Sequence, residues 1–239
     1  MKTLKRLCGI LLLCLLSVIV TLFGQGYVRY KREIQAKPME EAVAAYTSDP
    51  DYVPFAEIDE DFVNAVIAVE DKRYFTRKGY DVIALCRALY HNFLARGMVE
   101  GGSTITEQIA KNLYMDGYVT GLEEKTAEII IMLELEKVFS KEELFALYAN
   151  MNYYGDGYWG IKDAAEGYYD ADCSDLSLAQ AAILAGIPNA PSLYQLSTGY
   201  EGARDRQEWV LQTMCNNGFI TREEAGMALE EDVRPKKHD

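Results

Sequence analysis

Along most of this chain the apolar positions recur at helical spacing. Val63, Val66 and Ile67 form one stripe, Leu85, Leu89 and Phe93 a second, and Ile105, Ile109 and Leu113 a third. Alternating β-branched runs are scarce, so the pattern predicts a mainly α domain. Polar residues punctuate it. Asp61 is placed to cap a helix through FVNAVIAVE, Asp81 one through VIALCRALYHNFLARGM, and Thr104 one through ITEQIAKN. A fourth runs from about Leu122 to Phe139. Ser140 and Glu143 make a capping box for SKEELFALYANM, with the aromatic, glycine-rich loop NYYGDGYWG after it. Ser177 caps LAQAAILAG, which Gly186 and Pro188 stop. The last two helices are expected at about Gly202 to Cys215 and Thr221 to Glu231.

One run has no polar face at all. LCGILLLCLLSVIVTLFG, from Leu7 to Gly24, is uncharged and long enough for a slightly short membrane helix, and it follows Lys2, Lys5 and Arg6. A cleaved signal peptide is the rival reading. The run outlasts the apolar core of such a peptide and no small-x-small cleavage pattern follows, which favours an uncleaved anchor. Arg29, Lys31 and Arg32 follow it almost as closely as the first cations precede it, so the flanking charges orient it only weakly. The expected organisation is an anchor over 1–26, a polar stalk with Pro38, Pro50 and Pro54 over 27–54, and one domain over 55–234.

Composition narrows the chemistry. A net charge of −13 argues against nucleic acid and against general attraction to anionic lipid. An anionic substrate therefore has to be held by a local cluster of cations. The five cysteines contain no CxxC and fit apolar filler better than a disulfide framework. Two isolated histidines, His91 and His238, make a histidine metal site or a serine-histidine triad a poor fit.

Carboxylates remain. Glu70 lies on the stripe of Val63, Val66 and Ile67, and Glu128 on that of Ile131, Met132 and Leu135. An acid at the edge of a core, near Asp71 and a helix C-terminus, has its ionised form disfavoured, which is what a general base near neutral pH requires. The plainer alternatives are ion pairs, Glu70 with Arg73 and Glu128 with Lys125. Two acids in a helical domain outside a membrane suggest sugar chemistry, either hydrolysis or transfer from a sugar bearing a phosphate leaving group. GGSTITEQIAKN shifts the balance toward transfer. Beside its buried stripe it sets out Thr104, Gln108 and Lys111, polar groups of the kind a phosphate needs. The plainer reading of the same residues is a capping box of Thr104 and Glu107 with a solvated Lys111.

Six blocks in order, EDKRYFTRKGYD, GGSTITEQIAKNLY, EKTAE, SKEELFALYANMNYYG, GIKDAAEGYY and DLSLAQAAILAGIPNAPSLY, resemble the peptidoglycan glycosyltransferases. These occur as the first module of bifunctional penicillin-binding proteins and as monofunctional anchored enzymes. The resemblance covers about Asp51 to Gln195. It implies a lysozyme-like, two-lobed α fold with a jaw near the bilayer, at about Val82 to Met98. It implies a single-pass protein of the bacterial cell membrane, with the domain on the extracytoplasmic side, that polymerises lipid II onto the growing glycan chain and releases undecaprenyl pyrophosphate. Glu70 then corresponds to the general base. Glu128 corresponds to the second acid, on the pyrophosphate side. Thr104, Gln108 and Lys111 line the cleft, and Asp71, Arg77 and Lys125 join the substrate-binding set.

No cofactor is obligatory, with a divalent cation, Mg or Mn, as an optional aid at the pyrophosphate. The chain ends at Asp239, with no room for a transpeptidase domain, so crosslinking is expected from separate transpeptidases. A lysozyme-like hydrolase and a non-catalytic wall-synthesis scaffold are the rival functions. Four positions depart from the family pattern: Tyr74 stands for Phe, Arg77 for His, Glu107 for a glutamine that would serve equally in a capping box, and Glu124 for the usual arginine before Lys125. The last inverts a charge near a phosphate site, and Arg77 is the expected compensating cation.

Overall fold

The computed structural model describes residues 2–79, 103–115 and 117–236. The expected jaw helix at 82–98 falls outside them, with Gly101, Gly102, Cys86, His91 and His238. Among the described residues the protein is helical, with a lone bridge between Tyr153 and Trp159 in place of any strand. The helices are α1 (Lys2–Ala36), α2 (Met39–Thr47), α3 (Glu60–Glu70), α4 (Ile105–Tyr114), α5 (Leu122–Val138), α6 (Lys141–Met151), α7 (Gly160–Tyr169), α8 (Leu178–Gly186), α9 (Pro191–Tyr194), α10 (Tyr200–Asn217) and α11 (Arg222–Glu230).

Side chains fix these boundaries. Thr104, Ser140, Ser177 and Thr221 each close a capping box with the residue three positions on. Asp59, rather than Asp61, caps α3, accepting from the amides of Asp61 and Phe62. The helix begins at Glu60, two residues before the start that a cap at Asp61 implies, because the Asp59 carboxylate takes up the first free amides.

The core is built around α8. Ala179, Ala182, Ile183 and Leu184 are buried in it, and α3 and α10 pack against it. α4 lies between α5 and α6, joining this core to the N-terminal part of the molecule.

Residues 27–54 differ from the stalk that the prolines suggest. α1 continues to Ala36, and α2 buries Met39, Ala42 and Val43 against α6. The apolar spacing i, i+3, i+4 was there between Pro38 and Pro50, obscured by the acids around it. α1 alone among the described helices is long and apolar enough to cross a membrane. Its second half lies along α5 at a close approach, where a Cβ added to Gly26 would stand 2.5 Å from Cβ of Thr126. Gly26→Val is therefore expected to force the two helices apart. An overpacked contact costs about 1–3 kcal/mol, and the melting temperature of the detergent-solubilised chain should fall by roughly 2–10 °C. An unchanged melting curve would mean that α1 does not dock on α5.

Candidate active site

Glu70 is the last residue of α3 and lies half-buried. Gln108 of α4 donates from Nε2 to its Oε2 at 2.7 Å, fixing the carboxylate in one orientation. Burial pushes the Glu70 carboxyl above the ordinary carboxylate range. The Gln108 hydrogen bond and the cations Arg206 and Lys111 oppose the rise, and Asp71 adds to it. A base so placed takes a proton more readily than an exposed carboxylate, while one of its oxygens is held still.

Glu128 lies on α5 with 2% of its surface exposed. Its Oε1 accepts from Nζ of Lys125 at 3.1 Å, and the same ammonium donates to Oε1 of Glu107 at 2.8 Å. Glu107, fully buried, uses its other oxygen to cap α4 at the Thr104 amide, 2.7 Å away. Burial raises the Glu128 carboxyl as well, with Lys125 and Lys111 opposing and Glu107 adding to it. Its Oε2 is buried with no partner, an uncommon state for a carboxylate oxygen and one that a bound ligand would resolve.

Lys111 is the link between the two acids. It is half-buried, pairs with no carboxylate among the described residues, and acts on both Glu70 and Glu128. α4 thus reaches α3 through Gln108 and α5 through Glu107, with the ammonium of Lys111 one turn further on. This is the outer stripe expected from the sequence, less one member. Thr104 is 3% exposed and its hydroxyl accepts from the Glu107 amide, so it serves the capping box.

Asp71, next to Glu70 in the chain, pairs with Arg77. Arg77 donates to Asp71 at 2.8 and 3.0 Å, to Glu136 at 2.8 Å and to the Gly79 carbonyl, with only 5% of its side chain exposed. A guanidinium so engaged is not free to compensate for Glu124. Nor is compensation needed, because Glu124 turns away from the site and pairs with Arg29 of α1 at 2.9 Å while accepting from the Thr120 amide. Two of the departures, Tyr74 and Arg77, lie together, the guanidinium carbon 5.7 Å from the centroid of the Tyr74 ring. Tyr74 is fully buried, and its added hydroxyl donates to the Lys141 carbonyl at 2.9 Å beside the same acids that hold Arg77. Removing one partner of a buried pair costs about 3–5 kcal/mol. Arg77→Met is therefore expected to lower the melting temperature by roughly 6–20 °C, a loss that thermal unfolding in detergent would register.

Sequence reasoning missed Arg206 of α10, whose charge bears on Glu70, and Tyr148 of α6, a buried phenol facing the same carboxylate. A signal for Arg206 existed. It sits three residues after Ala203 and four before Val210, both buried, which is the criterion that singled out Glu70. For a metal, no group of three or more histidine, cysteine or acidic side chains gathers among the described residues. The site offers a divalent ion the free Oε2 of Glu128 and no cage.

Residues 36–215 match the family model described as Transglycosylase. Penicillin-binding protein 1F of Bacillus subtilis is 39% identical over 186 residues, which are 78% of this chain and 26% of that one. A Cupriavidus necator protein named as a candidate transglycosylase is 38% identical over 82% of this chain and 84% of its own length. Among solved structures, penicillin-binding protein 1A from Haemophilus influenzae aligns with 78% of this chain and 18% of its own, at 20% identity and a TM-score of 0.47. The chain thus spans about a quarter of the Bacillus relative and most of the Cupriavidus one.

Proposed function

Because this chain belongs to the transglycosylase family, we propose that it polymerises lipid II into glycan strands and releases undecaprenyl pyrophosphate. The observation that carries the reading is the bridging role of α4, whose Gln108 holds Glu70 of α3 at 2.7 Å and whose Glu107 shares the Lys125 ammonium with Glu128 of α5. Glu70 takes the proton of the acceptor sugar's 4-hydroxyl as its oxygen bonds to the anomeric carbon of the donor. The bond from that carbon to the pyrophosphate breaks as the new one forms. Lys111 and the remaining N–H groups of Lys125 face the charge that develops on the leaving group, in a setting where partial exclusion of water strengthens their attraction. Glu128 holds Lys125 in place, and its free oxygen is left for the ligand. No step is assigned to a divalent ion, since no group of three or more histidine, cysteine or acidic side chains gathers among the described residues.

α1 supplies the anchor of a single-pass protein of the bacterial cell membrane, with the domain on the extracytoplasmic side where lipid II is consumed. Its continuation packs along α5, the helix that carries Glu128. Transpeptidases are the expected next enzymes to act on the strands. Incubating the detergent-solubilised chain with labelled lipid II tests the reading. Glycan polymer is the expected product. Cleavage of preformed glycan would instead indicate a hydrolase, and inertness toward both a scaffold.

A further inference from the structure

Glu107 is an acid with none of its side chain exposed, and both of its oxygens are engaged. Oε2 accepts from the Thr104 amide at 2.7 Å while the Thr104 hydroxyl accepts from the Glu107 amide at 3.2 Å, which fixes the carboxylate to the first turn of α4. Oε1 accepts from Nζ of Lys125 at 2.8 Å, a closer approach than the 3.1 Å from the same ammonium to Glu128. The two carboxylates come from different helices, and the ammonium is their shared point. They differ in what is left over: Oε2 of Glu128 is buried without a partner.

The family pattern has glutamine at this position, and glutamine would close the capping box equally well. It could not do both jobs. A carboxylate has two accepting oxygens, whereas an amide has one and a donor on its other arm. A glutamine whose oxygen takes the Thr104 amide turns its NH2 toward the Lys125 ammonium, donor against donor.

We propose that Glu107 is a positioning residue: it holds the Lys125 ammonium from the α4 side, so that the third N–H of that group stays available to the leaving pyrophosphate. The proposal rests on the reading of Lys125 as part of the pyrophosphate site. Without Glu107 the ammonium would be tied only to Glu128, three residues along its own helix, at the end of a long stem that is 34% exposed. With it, the charge is fixed between two helices before substrate arrives, and a preorganised donor needs no rearrangement as charge develops on the leaving group.

The test is Glu107→Gln, with kcat and KM for lipid II measured separately beside a melting curve. kcat should fall about tenfold, the lower end of what a hydrogen bond to a charged group is worth. KM should hold level or drop, because the variant takes a negative charge away from a site for an anion. A purely structural role would move the melting temperature and leave kcat alone. Lys125→Gln should lower kcat at least as far, and adding Glu107→Gln to it should cost little more, since Glu107 then has no ammonium to hold. Wild-type kcat in Glu107→Gln, whatever its melting temperature, or losses that multiply in the double variant, would overturn the proposal. Lys125→Gln at the wild-type rate would remove the reading of Lys125, and a wild-type chain that makes no polymer would remove the proposed function. In either case the role of Glu107 falls with its premise.

Discussion

Glu70→Gln is expected to reduce glycan polymerisation by about 10²–10⁴-fold, the range that a positioned general base contributes. The substitution is nearly isosteric and lies at a helix terminus, so the fold should survive. The amide can still accept from Gln108 in place of the carboxylate oxygen that does so at 2.7 Å. What it cannot do is take a proton from the attacking hydroxyl. Binding of lipid II, governed mostly by its pyrophosphate and lipid, should change far less than turnover. Comparable losses in kcat and in kcat/KM would mark an interaction made in the transition state.

The second large effect is expected at Lys111. Lys111→Gln should lower kcat by about 10²–10³-fold, as removal of a preorganised stabiliser of developing charge does elsewhere. Two consequences combine. The leaving pyrophosphate loses a cation, and the region around Glu107 and Glu128 is left with two carboxylates against the one ammonium of Lys125. The imbalance should favour protonation of Glu128, whose carboxyl burial already raises. Lys111→Arg should recover part of the loss through charge alone. A glutamine variant of near wild-type rate would show that the pyrophosphate is held elsewhere.

The parts of this architecture visible in the sequence were those with a local cause. Capping boxes at Thr104, Ser140 and Thr221 were readable because donor and acceptor are three residues apart. Glu70 and Glu128 stood out because a charge on an apolar stripe is conspicuous within two turns of helix. α2 and α7 were missed for reasons of composition. α2 carries its buried side chains among acids between two prolines, and α7 opens at Gly160 with a second glycine and two tyrosines inside it. The fate of Arg77 and Glu124 was not legible. Each is answered by partners far off in the chain, Glu136 in one case and Arg29 in the other. Only the fold brings those charges together. Thr104 shows the converse, a hydroxyl offered to substrate by its place on the helix surface and used locally by the backbone instead.

The central claim is that one ammonium serves both carboxylates of a single site, and the pH profile of kcat in wild type and Lys111→Gln tests it most directly. Glu70 must be ionised to act, and Lys111 lowers its pKa against the effect of burial. Removing that charge should move the acid limb of the profile to higher pH, over and above the loss at the plateau. A limb that stays where it is in the wild type, with only the plateau lowered, would place Lys111 out of reach of Glu70 and contradict the account.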